Sequence, residues 1–272
     1  MRKFILAAAV IPAMLVAAPL AADNHGGASE LAAALAADAR TADRARDEFR
    51  NPAGTLNFFK VEPGMTVADV VPGSGWYSRV LIPYLGKGGT YIGLNPDMSR
   101  ANSQQVADNW GGYAAKFAQA LAGWNVTGAN AMGANLNEMG DDAAGTVDRV
   151  LIFREMHNLH RFELLHSTLD GARKVLKDDG MLGIVQHRAK PWAPAEYTDG
   201  SKGYMRQQDV IAMVEAHGFD LVATSEINAN PKDTADHPRG VWEMKPSWGS
   251  KRPELENLGE SDRMTLLFRK RP

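Results

Sequence analysis

The residues best suited to chemistry lie around a two-glycine turn that follows a short apolar run. Residues 66–71 contain Asp69, and Gly73, Ser74 and Gly75 come directly after them. An apolar strand that carries an acid and then turns on glycines leaves backbone without side chains at the mouth of a sheet, where a flat nucleoside ligand can approach closely. Tight turns of this kind also occur without a ligand, so both readings stay open on the turn alone.

The next apolar run ends in an amide at a suggestive distance from the turn. Asn95 lies twenty positions after Gly75, which is the usual separation for a partner of a ribose hydroxyl. Asp69 could orient the loop or meet an ammonium group of the ligand. Ser78 stands where a dinucleotide-binding fingerprint has its third glycine, so a close pyrophosphate crossing fits poorly and a nicotinamide oxidoreductase is disfavoured.

The elements that must position these residues follow an alternating pattern. Short apolar runs alternate with amphipathic stretches, which predicts a sheet built from β–α repeats. Strands are predicted at residues 66–71, 90–94, 147–153, 181–186, 220–227 and 264–269, with a weak strand at 125–131. Helices are predicted at residues 76–85, 99–109, 162–176 and 207–217. Upstream, residues 29–50 predict an alanine-rich helix capped by Ser29, and residues 53–59 a short helical piece.

The first residues have the composition of a secretory signal. Arg2 and Lys3 precede an apolar stretch and a small-residue zone, so residues 1–22 are predicted to be a cleaved signal peptide. An uncleaved membrane anchor is the alternative, but two prolines and many alanines favour cleavage and no stable membrane anchor afterwards. Residues 23–60 are then an N-terminal helical extension and residues 61–272 the main domain. The predicted location is periplasmic or secreted.

Cysteine usage and charge exclude several classes of protein. The chain has no cysteine, so it has no disulfide, no thiolate metal ligand and no site for a lipid on sulfur. Loss of Arg2 and Lys3 changes 30 basic residues to 28 against 32 acidic ones, a net charge of −4. No basic patch or charge run stands out, which argues against a nucleic-acid partner.

The glycine turn belongs to a series of motifs. Residues 67–75, VADVVPGSG, resemble the first motif of the class I S-adenosylmethionine-dependent methyltransferases. Later blocks resemble that family's motifs in the expected order, at residues 147–152, 172–180, 216–219 and 266–270. Residues 153–158 and 240–242 further resemble an exported bacterial subgroup of predicted methyltransferases. The resemblance covers about residues 52–271.

The resemblance implies a fold and a cofactor. The fold class is α/β, a Rossmann-like doubly wound sheet that is mostly parallel with an antiparallel last strand, plus the N-terminal helical extension. The implied cofactor is S-adenosyl-L-methionine. The resemblance implies that Asp69, Gly73, Ser74, Gly75 and Asn95 occupy the cofactor-binding positions.

Two positions depart from the family pattern. Val71 replaces the first glycine of the usual turn, so an ordinary β conformation is expected there. Asn95 replaces the customary ribose-binding acid; an amide accepts a hydroxyl hydrogen bond without the charge-assisted grip of a carboxylate. The loss corresponds to an affinity for the cofactor that is lower by about tenfold. Asp97, two positions on, could compensate.

The resemblance also implies that the fourth and fifth strands are neighbours. That arrangement would bring His157 and His187, which follow those strands, within reach of one pocket. Imidazole suits proton removal at neutral pH, so His157 is the first candidate for a catalytic base and His187 the second. Glu155 is a third candidate, although an ion pair with Arg154 or Arg161 is the simpler expectation for it.

The acceptor would need further contacts from the same sheet edge. Arg154 and Arg188 are predicted to hold an anionic acceptor, and Trp242 to line its pocket. His160 and the two candidate histidines do not match a recognised metal-site spacing, so no metal ligand is predicted.

The sequence therefore predicts methyl transfer from S-adenosylmethionine to a small-molecule acceptor by an exported protein. The alternative is a non-enzymatic protein that binds a small ligand on the same fold, which the departures at Val71 and Asn95 favour. The pattern names neither the acceptor nor the oligomeric state.

Overall fold

A computed structural model describes residues 25–272, which form a seven-stranded mixed sheet with helices on both faces. The strands are β1 Thr66–Val70, β2 Thr90–Asn95, β3 Asn130–Asn135, β4 Val147–Phe153, β5 Leu176–His187, β6 Phe219–Ser225 and β7 Arg263–Lys270. Their spatial order is β3-β2-β1-β4-β5-β7-β6. β7 runs antiparallel to β5 and β6, and the other neighbours are parallel, which confirms the predicted fold class. The predicted signal peptide lies outside the described residues.

The helices in the described part of the chain pack against this sheet or extend it. They are α1 His25–Ala36, α2 Asp47–Arg50, α3 Pro52–Phe58, α4 Ser78–Leu85, α5 Gln104–Trp110, α6 Tyr113–Trp124, α7 Met156–Arg161, α8 Leu165–Val175, α9 Ala195–Thr198 and α10 Gln207–Ala216. None of the helices in this part has both the length and the apolar character needed to cross a membrane.

The central strands are buried on both faces. In β1, Val67 packs with the cluster that contains α1, α4 and α6, whereas Ala68 packs with the cluster that contains α7, α8 and α10. In β4, Leu151 and Val150 divide between the same two clusters. Alternation of this kind follows from the two-residue period of a strand and explains why these strands read as continuous apolar runs.

The long helix predicted at residues 29–50 is wrong. α1 begins at His25, so Ser29 is not its cap, and it ends at Ala36 because Ala37 takes an extended ψ of 142°. The chain then folds back, and the guanidinium of Arg40 becomes fully buried. It donates to the Leu35 carbonyl oxygen at 2.9 Å and pairs with Asp47 at 2.6 Å. These contacts stabilise the break that helical propensity alone opposes.

Other boundaries differ by a few residues. α5 begins only at Gln104, because the Ser103 hydroxyl caps it by accepting from the Val106 N–H at 3.3 Å. β3 lies at 130–135 rather than 125–131, and β5 starts five residues earlier than the predicted 181. α6 was not predicted at all. Helix α4 begins at Ser78, two residues after its predicted start.

The residues with candidate functional roles lie at one edge of the sheet. The carboxyl ends of β1, β2, β4 and β5 meet there, as the pairings Val70 with Leu94 and Phe153 with Val185 show. β7 is antiparallel, so its first residue, Arg263, pairs with His187 at the same edge. Open α/β sheets bind their ligands along this edge.

Candidate functional site

The connection after β1 bends through the left-handed region at Val71. Its φ is 51°, and Gly73 and Gly75 follow with φ of 58° and 77°. The Val71 N–H donates to the Leu94 carbonyl oxygen at 2.9 Å, so the chain stays tied to β2 while it turns. A non-glycine residue held in this region costs about 1–3 kcal/mol. The expected β conformation at Val71 is wrong, because the bend requires a left-handed residue whatever side chain it carries.

The two glycines of the turn have different surroundings. A Cβ on Gly75 would lie 2.2 Å from the ring of Trp124, so this glycine allows α6 to pack closely. A Cβ on Gly73 would have only the Val71 carbonyl oxygen near it, at 4.0 Å. Ser74 is exposed at the tip, where its carbonyl accepts from Arg79 at 2.8 Å. Gly73 and Ser74 therefore leave an open backbone surface, and Gly75 is explained by packing.

Asp69 is buried beneath the turn with one oxygen unused. The Tyr91 hydroxyl donates to Oδ2 at 2.9 Å, and the Ser78 hydroxyl lies 2.7 Å from that of Tyr91. Oδ1 is buried and has no hydrogen-bond partner in the described part of the chain. Burial raises the pKa of Asp69 to about 7, partly offset by the Tyr91 hydrogen bond. Oδ1 is thus a strong acceptor without a donor.

Asn95 ends β2 in a similar condition. Its Nδ2 donates to the Trp110 carbonyl oxygen at 3.3 Å and to Asn135 Oδ1 at 3.2 Å. Its Oδ1 is buried and finds no partner among residues 25–272. Asp97 is already engaged in the next turn, where it accepts from the Ser99 N–H at 3.0 Å. The amide oxygen of Asn95 is therefore available to a hydroxyl, and the Asp97 oxygen that caps the turn is not.

The segment 98–110 covers this part of the sheet edge. The Asn102 N–H donates to the Phe162 carbonyl oxygen at 3.2 Å, and its side-chain amide donates to the Arg161 carbonyl oxygen at 2.9 Å. The rings of Trp110 and Phe162 meet edge to face with centroids 5.5 Å apart. The segment therefore bridges the region after β2 and the region after β4.

The hydrogen-bond acceptors beside the turn suit S-adenosylmethionine, but the volume of the cavity there does not. Its ammonium group and ribose hydroxyls are donors, and Asp69 Oδ1 and Asn95 Oδ1 are buried acceptors without donors. The cavity beside the turn, between Asp69 and Glu155, measures only about 60 Å³. Pockets for drug-sized ligands measure roughly 300–1,000 Å³. The cavity at the turn is therefore smaller than the whole cofactor requires.

A second cavity of about 150 Å³ adjoins the first. Its walls include Arg154, Glu155, His157, His187 and Trp242, five of the residues that the sequence placed at this edge. Arg154 and Glu155 also line the cavity at the glycine turn. The two cavities therefore meet at a shared wall, where a group held by one can face a group held by the other.

The two histidines are buried together and are neutral. Their ring centroids lie 5.5 Å apart, and Trp242 stands edge-on to His157 at 5.9 Å. Burial lowers the pKa of His157 to about 4 and that of His187 well below its usual value. His187 Nδ1 lies 2.6 Å from the Ser261 hydroxyl. Residues 25–272 contain no group of three or more His, Asp or Glu side chains able to hold a metal ion.

Glu155 is better matched to proton transfer at neutral pH. Desolvation raises the pKa of Glu155 to about 7, against the opposing effect of a 2.7 Å hydrogen bond from Asn158. Over the described residues it forms no ion pair with Arg154 or Arg161, so the expected pairing is not formed. A base works best when its pKa lies near the operating pH. Glu155 meets this condition and His157 does not.

Arg154 and Arg188 have opposite surroundings. Arg154, with φ of 64°, lines both cavities, and within residues 25–272 no carboxylate pairs with it. Arg188 binds Asp262 at 3.0 Å and Glu226 at 2.6 Å, which raises its pKa further. It lines a different cavity, of about 400 Å³. Arg188 therefore does not line the cavity that contains Glu155, His157 and His187.

Sequence reasoning missed the contribution of the residues before β7. Glu260 and Ser261 are almost fully buried and line the 150 Å³ cavity that contains His157 and His187, which we call the acceptor cavity. A signal was present: the last strand was predicted to be antiparallel, so the polar residues before it had to lie at the same edge as the ends of β4 and β5. The long loop before these residues gave no local pattern that relates them to the ends of β4 and β5.

Comparisons with known proteins identify the fold. No protein-family model matches the chain, and no curated protein matches it. The cyclase SpnF is similar, with a TM-score of 0.52, 14% identity and coverage of 87% of this chain and 86% of that one. A structure of the complex between the Haloferax volcanii Trm112 methyltransferase activator and a methyltransferase is similar with a TM-score of 0.50, 15% identity and coverage of 89% and 97%. A SAM-dependent methyltransferase from Aquifex aeolicus gives a TM-score of 0.48 at 21% identity, covering 68% and 88%. With this strand order, the chain has the fold of the class I S-adenosylmethionine-dependent methyltransferases.

Proposed function

We propose that this protein is an exported methyltransferase that uses S-adenosylmethionine and acts on a small molecule. The fold supports a cofactor site at the carboxyl edge of β1 and β2. Export is supported by the signal-like composition of residues 1–22.

The observation that carries the proposal is the wall that the two cavities share. Glu155 stands between the cavity at the glycine turn and the cavity at the ends of β4 and β5. Methyl transfer needs a donor and an acceptor aligned at close range, and positioning supplies most of the rate enhancement. Two adjoining cavities with one carboxyl group on their shared wall provide that arrangement.

The residues of the chain divide the work. S-adenosylmethionine, when bound, supplies an electrophilic methyl group. Asp69 Oδ1 and Asn95 Oδ1 would hold its ammonium and a ribose hydroxyl, because both oxygens are buried acceptors that have no donor within residues 25–272. Glu155 would take the proton of the acceptor, and the neutral His157 and His187 would orient the acceptor by hydrogen bonds.

A non-enzymatic ligand-binding protein is the second candidate. The 60 Å³ cavity at the turn and the amide of Asn95 favour it, since both weaken the case for the cofactor. The cyclase SpnF, named for a chemistry other than methyl transfer, shows that the fold is not limited to methyltransferases.

Thermal-shift titration with S-adenosylmethionine and S-adenosylhomocysteine separates the two candidates. We expect both to raise the melting temperature at micromolar to submillimolar concentration, and Asp69→Ala to abolish the effect. The matched control is Asp142→Ala, whose side chain is exposed outside the site. If millimolar cofactor leaves the melting temperature unchanged, the protein is not a methyltransferase.

A further inference from the structure

Arginines from distant parts of the chain meet behind the acceptor cavity, around a single buried carboxylate. Arg46 Nε lies 2.6 Å from Glu260 Oε1, and Arg50 Nε lies 3.2 Å from Oε2. Arg263 Nη2 lies 2.6 Å from the same Oε2. Glu260 itself lines the cavity, so the cluster reaches the cavity wall.

Arg154 adds a fourth positive charge to this cluster from the cavity side. It interacts electrostatically with Arg263, Glu260, Glu155 and Arg46, yet it forms no ion pair with any carboxylate in the described part of the chain. Lys245 lines the same cavity, and its Nζ lies over the Trp248 ring at 5.8 Å rather than on an acid. Two cations that form no ion pair with a described carboxylate therefore face one small cavity.

The charges of the cluster do not balance. Four guanidinium groups meet two carboxylates, Glu260 and Glu155, and the raised pKa of about 7 leaves Glu155 only partly ionised at neutral pH. This positive excess lies in a chain whose formal net charge is −2. Burial lowers the pKa of Arg50 to about 8, and the nearby charge of Arg154 contributes to the same shift. Arg50 and Arg263 are each only 2% exposed, so water screens little of the repulsion between these charges.

Some donors of the cluster are also unused. Arg50 Nη1 and Arg46 Nη2 are buried and have no hydrogen-bond partner among residues 25–272. A buried donor left without an acceptor is costly, and buried charges normally have a partner. A purely structural role for these ion pairs would be to join the N-terminal extension to β7. That role requires no excess of positive charge, and it does not explain why Arg154 has no ion-pair partner in the described part of the chain.

We propose that the methyl acceptor is a small organic anion, whose carboxylate or phosphate group is bound by Arg154 in the field of Arg50 and Arg263. The proposal rests on the proposed function, which makes this cavity the acceptor site. The cavity measures about 150 Å³, so the anion is compact. Arg154 is suited to it, because a planar guanidinium binds either oxyanion with two parallel hydrogen bonds.

The test compares probes that differ only in charge. Benzoate and the neutral, similarly shaped benzamide are titrated by calorimetry at constant ionic strength, and inorganic phosphate forms a separate arm. Each titration uses the full protein, with and without saturating S-adenosylhomocysteine. We expect benzoate or phosphate to bind at least tenfold more tightly than benzamide; the arm that responds identifies the oxyanion.

Two variants assign the binding to Arg154. Arg154→Met should weaken anion binding at least tenfold and should not lower the melting temperature of the anion-free protein, since it removes an uncompensated cation. Arg188→Met is the matched control, because its guanidinium is held by Glu226 and Asp262 outside the cavity. It should leave anion affinity unchanged. If Arg154→Met does not fold, Arg154→Lys replaces it, with a smaller loss of affinity expected from a group that cannot bind in two places at once.

Several outcomes would overturn the inference. Equal affinity for benzoate, phosphate and benzamide would do so, as would unchanged anion binding in Arg154→Met. Complete loss of anion binding in the presence of S-adenosylhomocysteine would show that the arginines serve the carboxylate of the cofactor instead. If S-adenosylhomocysteine binds and the anions do not, only this inference fails. If anions bind and S-adenosylhomocysteine does not, the proposed function fails as well and the site belongs to a binding protein.

Discussion

Replacing Asp69 by asparagine should change how stability depends on pH. The carboxyl is almost fully buried, and its pKa is raised from 3.8 to about 7, so the native state binds this proton more tightly than the unfolded chain. The stability that Asp69 contributes is therefore present at low pH and is lost as the pH rises through 7. The shift corresponds to about 4 kcal/mol in total, of which about 2.5 kcal/mol falls between pH 5 and 8.

Asparagine keeps the shape of the side chain and cannot ionise. Its carbonyl oxygen can still accept the Tyr91 hydroxyl, which lies 2.9 Å from Asp69 Oδ2. The Nδ2 group placed at the other position costs about 1–3 kcal/mol if it finds no acceptor, but that cost does not vary with pH. The informative quantity is thus the difference in unfolding free energy between Asp69→Asn and the wild type as a function of pH.

Urea unfolding of both proteins at half-unit steps from pH 5 to 8 measures this difference. We expect the variant to gain about 2.5 kcal/mol relative to the wild type across the range. Asp142→Asn, at an exposed position, should show no such trend. If the difference in unfolding free energy stays constant with pH, the pKa of Asp69 is not raised. The inference that this carboxyl lacks a cationic partner in the free protein then fails as well. The same variant should also lose the thermal shift produced by S-adenosylmethionine.

The other predictions concern the base and the turn. Glu155→Gln should lower the methylation rate by at least about a hundredfold and remove the rise in wild-type activity as the pH passes through 7, measured as S-adenosylhomocysteine release; full activity would exclude Glu155 as the base. Gly73→Ala should cost about 1 kcal/mol by urea unfolding, whereas Gly75→Ala should cost at least 2 kcal/mol more because it meets the ring packed on it; equal costs would contradict the packing described. Val71→Gly should cost less than about 1 kcal/mol because it relieves a left-handed φ, against about 3 kcal/mol for the buried Val70→Gly; a similar loss for both would place Val71 in an ordinary β conformation.

Local patterns were sufficient to predict most of the sheet. β1, β2 and β4 read clearly because central parallel strands are apolar on both faces. α6 was not predicted, and within its residues 113–124 only Phe117 is fully buried. The left-handed bend at Val71 could not be predicted, since a valine there continues the strand pattern and only the path of the chain reveals the bend.

The electrostatics of the site depend on contacts that no local pattern encodes. Arg46 and Glu260 are 214 residues apart in sequence and 2.6 Å apart in the structure. Glu155 was expected to form an ion pair with a nearby arginine, but within residues 25–272 it forms none. It lies in a cavity wall, where desolvation raises its pKa. The residue types at the sheet edge were therefore predictable, and their protonation states were not.

Arg154 lines both cavities, and its positive charge predicts that acceptor and cofactor strengthen each other's binding. S-adenosylmethionine carries a sulfonium charge that S-adenosylhomocysteine lacks, and the cofactor cavity shares Arg154 with the cationic acceptor cavity. At roughly 8–10 Å and an effective dielectric constant of about 20, two like charges repel by on the order of 2 kcal/mol. A bound anion would cancel one positive charge and relieve that repulsion, which corresponds to about thirtyfold in affinity.

Calorimetry of both cofactor forms, with and without the probe anion that binds best, measures this coupling. We expect the anion to tighten S-adenosylmethionine binding about thirtyfold more than S-adenosylhomocysteine binding. The cofactor should tighten anion binding by the same factor, because coupling free energies are reciprocal. The difference should vanish in Arg154→Met, which removes the repulsion beforehand. If the anion changes the affinity for both forms equally in the wild type, the arginine charge does not reach the sulfonium, and the two cavities do not act as one electrostatic site.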